Sequence, residues 1–254
     1  MKRTLLLFVL FSQACLGQSE LQPPTTHVKN TVKLKRFIVS VNIGASSPYA
    51  GFGTKDTANF FMTQKDSNKV RGFANVGVHA SADAGYFITA HLGVEGKVVF
   101  NYNTIDMEKF NSFLVPHNHS PEVSFDGGYS IWQYMGGPFI NFDTKDNTTI
   151  CLKFMTGMLS INYPDFYITG PSNYFEIILP QVHTIAYSFT SDFEKRLSPL
   201  IGIKATIGYT GALVNYASFT YIYTGATSGR YSSPYPVSMS YGSLTFSAGL
   251  NFHL

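Results

Sequence analysis

The sequence is poor in charge. Only 13% of its 254 residues are Asp, Glu, Lys or Arg, against about a quarter in ordinary globular domains. That leaves little with which to coat a water-facing surface. Cysteine is scarcer still, with Cys15 and Cys151 the two present, so an exported form of the chain has no disulfide framework. Beyond the first residues no apolar run approaches the roughly 20 needed for a membrane-spanning helix. A net charge of +3 with no basic run excludes a nucleic-acid footprint. What the chain does have is 22 Phe, 16 Tyr and 22 Gly, which suits strands joined by tight turns.

The first residues, MKRTLLLFVLFSQACLG, carry two basic residues, an apolar stretch from Leu5 to Phe11 and then small residues. This is the pattern of a secretory signal peptide, and cleavage before Gln18 is expected. Cys15 offers an alternative as a lipid-attachment site, although Ser12-Gln13-Ala14 lacks the leucine usually found upstream. The expected organisation is a signal peptide at 1–17, a polar periplasmic tail at 18–34 and one domain at 35–254.

Within that domain, period-two alternation recurs eight times. In RFIVSVNIGAS, residues 36–46, one face carries Phe37, Val39, Val41, Ile43 and Ala45, and the other carries Arg36, Ser40 and Asn42. Similar alternation runs through 73–87, 91–103, 129–142, 149–160, 183–193, 200–210 and 243–254. A bulge is expected at Pro138, which has no ladder donor. The connections alternate too: those after Ser46, Thr104, Asn162 and Gly211 are long, and those near Thr89, Lys145 and Lys195 are short. The charged residues placed in strands, Arg36, Asp83, Glu95, Lys97, Lys153, Asp192 and Lys204, share the face opposite the apolar set. Lipid requires this one-sidedness, because a Lys or Arg on the lipid face costs about 2–4 kcal/mol at the bilayer midplane.

These patterns predict an all-β fold, an eight-stranded antiparallel up-and-down transmembrane β-barrel with surface loops on one rim. Aromatic residues at the strand ends form two expected interface girdles, Phe37, Tyr86, Phe142 and Phe252 on the short-turn side and Tyr102, Trp132 and Tyr209 on the long-loop side. With glycine–aromatic pairs such as Gly85-Tyr86 and Gly208-Tyr209, the region from Lys35 onward resembles the small outer-membrane β-barrels of the OmpA/OmpX type, a porin-family barrel domain. Its last strand, SLTFSAGLNFHL, is similar to the C-terminal signature of that family, with Phe252 and the final Leu254 as the implied assembly signal, although the usual last residue is phenylalanine. The resemblance implies a location in the Gram-negative cell outer membrane, outer-membrane lipid as surroundings and the barrel-assembly machinery as a partner.

An eight-stranded barrel is filled by its own side chains, so no general pore is expected. Arg36, Asp83, Glu95, Lys97, Lys153 and Lys204 are expected to form an ion network in the lumen. The resulting functional expectation is a structural or surface-binding protein, with an envelope or surface protein docking on the long loops, one of which is rich in Tyr and Ser. The alternative is an outer-membrane enzyme acting on lipid A or surface peptides. His79, Ser81 and Asp83 share one inner face, but same-face neighbours along a strand lie about 7 Å apart, and no catalytic residue is assigned. His117, His119 and Glu122 form only a weak metal-like cluster, so neither a metal nor a cofactor is expected.

Overall fold

The computed structural model describes residues 36–54, 72–114, 122–144, 147–169, 174–216, 219–224, 228–233 and 237–254. The expected leader and tail, and His117 and His119, lie outside them. Thirteen strands are present among the described residues: β1 (Phe37–Tyr49), β2 (Gly77–Phe87), β3 (Leu92–Asn103), β4 (Glu122–Phe125), β5 (Tyr129–Asp143), β6 (Thr148–Asn162), β7 (Phe166–Thr169), β8 (Tyr174–Ile178), β9 (Val182–Arg196), β10 (Ile201–Tyr216), β11 (Phe219–Thr224), β12 (Gly229–Ser233) and β13 (Val237–His253). Two short helices are α1 (Ala50–Gly53) and α2 (Met107–Leu114).

Eight strands close a barrel in the order β1-β13-β10-β9-β6-β5-β3-β2, every neighbouring pair antiparallel. Strands that are neighbours in this barrel follow one another along the chain, apart from the β1–β13 closure, so the topology is up-and-down. The register of the closing pair runs from Ile38↔His253 to Tyr49↔Gly242. Gly249 is required there because a Cβ would collide with the carbonyl oxygen of Val41.

The alternation resolves as the sequence predicts. Phe37, Val41, Ile43, Val78, Val94, Val98, Phe154, Ile203, Ile207, Phe246 and Leu250 are exposed on the outer wall, while Ser40, Asn42, Asp83, Glu95, Lys153, Asp192 and Lys204 are buried inside. Two local expectations need correction. Pro138 makes no bulge: β5 keeps one register with β3 through Val94↔Pro138, and only the pairs of Gly137 and Pro138 drop out of its ladder with β6. The missing proline donor therefore removes pairing on one side without inserting a residue. The turn expected at Lys195 and Arg196 lies at 197–200, and β9 runs through Arg196.

Five short strands form a separate antiparallel sheet in the order β12-β11-β8-β7-β4. They come from three different long connections, those between β3 and β5, β6 and β9, and β10 and β13. The last connection also prolongs β10 and β13, which stay paired as far as Tyr216↔Val237.

The core lies where this sheet meets the barrel mouth. Phe52 of α1, Phe110 of α2 and Phe73 are fully buried with Tyr129, Ile131, Leu159, Ile161, Val214 and Tyr216, which point inward from the long-loop ends of their strands. Phe52 packs on Tyr129 and Tyr241 at ring-centroid distances of 4.8 and 5.0 Å. Ala50 and Phe73 hold positive φ values of 54° and 48°, a conformation costing about 1 kcal/mol or more for a residue with a side chain. Burying Phe52 and Phe73 in the cap offsets it, at about 1.5–3 kcal/mol for each phenylalanine.

Candidate functional site

The barrel positions two groups of side chains, one in the lumen and one on the outer sheet. In the lumen, period-two geometry brings inward-facing charges from β2, β3, β6, β9 and β10 to one level. Lys153 Nζ donates to both oxygens of Glu95, at 2.6 and 2.7 Å, and lies 2.7 Å from Asp192 Oδ2. Lys204 Nζ donates to Asp83 Oδ2 at 2.8 Å and lies 3.5 Å from Asp192 Oδ2. Lys97 faces Asp83 Oδ1 at 4.0 Å. Three carboxylates thus balance three ammonium groups. Neutral donors complete the shell: Ser40 Oγ and Asn42 Nδ2 donate to Asp83, and Thr206 Oγ1 donates to Asp192.

Five of the six residues expected in this network meet, and Arg36 does not. Arg36 precedes β1, is exposed, and donates to the Tyr86 hydroxyl at 3.1 Å. Alternation fixes a side chain's face only inside the ladder, and Arg36 lies just beyond it. Asp192, placed inside by its parity, is the carboxylate shared by Lys153 and Lys204. A second cluster lies nearer the turns, outside the set that the sequence singles out: Glu194 accepts from Asn251 Nδ2 at 2.6 Å and pairs with His253 Nε2 at 2.5 Å. Extending the alternation of 183–193 by one turn-side residue would have placed Glu194 inside.

Apolar side chains close the lumen at both ends. Ile38, Phe87, Phe139 and the unpaired Cys151 pack together on the short-turn side of the network. On the other side lies a layer of hydroxyls and amides, then the aromatic cap. The cavity beside His79 and Lys97 has a volume of about 10 Å³, barely room for one water and far too small for an organic substrate.

The structure does not bring His79, Ser81 and Asp83 together as a catalytic set. His79 Nδ1 bonds Asn101 Oδ1 at 2.7 Å, and the Ser81 hydroxyl accepts from Asn42 Nδ2 at 3.1 Å. Without a base in reach, Ser81 is not activated as a nucleophile. No group of three or more His, Cys, Asp or Glu suited to a metal ion occurs among the described residues.

The expected girdle residues occupy the outer wall. On the turn side Phe37 packs on Tyr86, centroids 5.0 Å apart, and Phe142 is exposed. Phe252 faces outward there, paired with Val39 and Ile201. On the loop side Trp132 packs on Phe100 at 4.9 Å, Tyr209 lies between Tyr49 and Tyr187, and Tyr102 is half-buried.

The outer sheet has one inward and one outward face. Phe166 is buried in the cap and Ile168 packs against it, so alternation turns Tyr167 and Thr169 outward. The outward row runs Ser124, Tyr167, Glu176, Ile222 and Arg230 across the five strands. Tyr167 and Tyr174 stack with centroids 5.8 Å apart and planes 29° apart, and the Tyr174 hydroxyl donates to Glu176 Oε2 at 3.5 Å. Asp165 immediately precedes β7, its carbonyl accepting from the Asp126 amide at 3.0 Å. Burial, then the Glu176 and Asp126 carboxylates, holds the Asp165 carboxyl above its ordinary pKa.

Compared with known proteins, the chain matches no family model and no curated relative. Among solved structures it resembles Neisserial surface protein A, with 10% identity, a TM-score of 0.46 and coverage of 86% of this chain and 97% of that one. A major outer membrane protein from Thermus thermophilus gives 11% identity and a TM-score of 0.46, covering 84% and 98%. Ail, the attachment invasion locus protein of Yersinia pestis, gives 10% identity and 0.43, covering 85% and 99%. At 10–11% identity these are likenesses of fold alone.

Proposed function

We propose that the chain is an integral outer-membrane protein, exported by residues 1–17, whose barrel anchors an external sheet that binds a surface partner. The observation that carries this reading is the wall itself. Apolar side chains ring the outside, with Phe37, Phe189 and Phe246 each at least half exposed, whereas the ion network is entirely inside. In water this arrangement would leave a continuous apolar surface far larger than the few hundred Å² tolerated on a soluble monomer; in a bilayer it is the low-energy surface. Phe37, Tyr86, Tyr102, Trp132, Phe142, Tyr209 and Phe252 serve as interface anchors, and the strand ending in Phe252 and Leu254 as the assembly signal. The filled lumen supports a non-conducting barrel, which leaves the outer sheet as the functional surface.

Electrophoretic mobility in SDS with and without boiling tests the anchor. A closed detergent-resistant barrel shifts on boiling and stays in the membrane pellet after carbonate extraction. Release by carbonate, with no heat-dependent shift, would end the membrane reading. Planar bilayers containing the protein are expected to show no stable conductance.

A further inference from the structure

We infer that the outward face of the β4–β7–β8–β11–β12 sheet is a docking surface for a basic segment of a partner protein, with an Arg or Lys side chain laid on the Tyr167–Tyr174 pair and its charge directed at Glu176 and Asp165. The inference rests on the proposed surface-binding role and names the partner's chemistry. Its first support is the sheet's two-sided construction. Phe166 and Ile168 belong to the capping core, so the opposite face points away from that core, and it holds two neighbouring tyrosines whose rings lie 29° from parallel. Such a pair offers a broad π surface on which a guanidinium stacks or an ammonium rests.

Charge is the second support. Asp126, Asp165 and Glu176 flank this pair, and no Lys or Arg lies within 4 Å of any of them among the described residues. Every acidic residue of the lumen, by contrast, has a cationic partner. Burial first, and then the Glu176 and Asp126 carboxylates, hold Asp165 above its ordinary pKa, and an incoming cation relieves the repulsion among the three. Arg230, at the other end of the row, is separated from Glu176 by the β11 residue Ile222, so among the described residues no cation pairs with the acidic half. The chain as a whole carries +3, and general electrostatics therefore disfavour a basic ligand; attraction has to be local.

The test uses the full mature protein in phosphatidylcholine nanodiscs and fluorescence anisotropy of a labelled oligoarginine peptide, with an oligoglutamate peptide as control. The arginine peptide is expected to bind and the glutamate peptide to fail. Tyr167→Ala with Tyr174→Ala should weaken binding about fivefold or more, while the Tyr→Phe pair, which keeps the π faces, retains it. Glu176→Gln should weaken binding about fivefold at low salt, with the difference disappearing near 0.5 M, where the Debye length is a few Å. Absence of arginine-peptide binding, or affinity indifferent to both the Tyr→Ala pair and Glu176→Gln, would overturn the inference. So would preferential binding of a neutral oligosaccharide that the Tyr→Ala pair abolishes and Glu176→Gln spares, which would reassign the face to carbohydrate. Failure of the anchor is read separately, from the boiling shift of the same preparation.

Discussion

Removing Lys153 is the sharpest test of how the lumen is held. Its ammonium joins Glu95 at 2.6 Å and Asp192 at 2.7 Å, and the three side chains are 3%, 1% and 4% exposed. Lys153→Met deletes the sole hydrogen-bond partner of the Glu95 carboxylate among the described residues and leaves three buried carboxylates facing two ammonium groups. Breaking a buried pair by removing one member costs about 3–5 kcal/mol, because the other charge stays behind in a medium that solvates it poorly. Adding Glu95→Leu restores balance, with Asp83 and Asp192 facing Lys97 and Lys204, and the double variant should come back to within about 1 kcal/mol of the parent. The assay is urea unfolding in lipid vesicles, followed by the fluorescence of Trp132, the single tryptophan of the chain, which lies 42% exposed on the outer wall. A Lys153→Met cost below about 1 kcal/mol, or a double variant no more stable than the single, would refute the reasoning that charge balance governs the lumen.

Three further outcomes are expected. Phe52→Ala, which empties the centre of the cap between Tyr129 and Tyr241, should cost about 3–5 kcal/mol in the same urea titration while the boiling shift of the closed barrel persists. Phe154→Arg places a cation on the outer wall, where Phe154 is 45% exposed, and should cost about 2–4 kcal/mol in vesicles if that wall faces lipid near the midplane; no loss would contradict the embedding. For Asp165, the pKa raised by burial, Glu176 and Asp126 means that the folded outer sheet binds a proton more tightly than the unfolded chain. Its contribution is therefore fully present below the ordinary carboxylate pKa and is lost as pH rises through the raised value. The amide protection factors of β7 and β8, from which the intrinsic pH dependence of exchange has been divided out, should rise on acidification through that window in the parent and stay flat in Asp165→Asn.

Why some of this was legible in the sequence and some was not follows from what each face of a strand has to satisfy. Where an apolar exposed exterior lies on one side and a polar lumen on the other, as along Asp83, Glu95, Lys153 and Lys204, the two demands are opposite and alternate residues record them. Nearer the long loops that contrast fades. In β5 the outward Trp132 and Tyr134 alternate with inward Ile131 and Met135, and in β6 inward Leu159 and Ile161 lie beside outward Met158, because the lumen here meets the apolar cap. With both faces apolar, period two carries no information about which side is in. The outer sheet is harder again, since β8 pairs with β11 and β4 with β7, joining segments from separate connections through ladders of only four or five residues. No local pattern specifies such pairing; it is fixed by the barrel, which holds the ends of those connections around one rim, and by the cap, which needs Phe166 and Ile168 on its side. That constraint is what turns Tyr167 and Glu176 outward, so the candidate binding face exists because the cap demands the other half of the alternation. A substitution that loosened the cap, such as Phe52→Ala, should accordingly weaken arginine-peptide binding without touching any residue of the face.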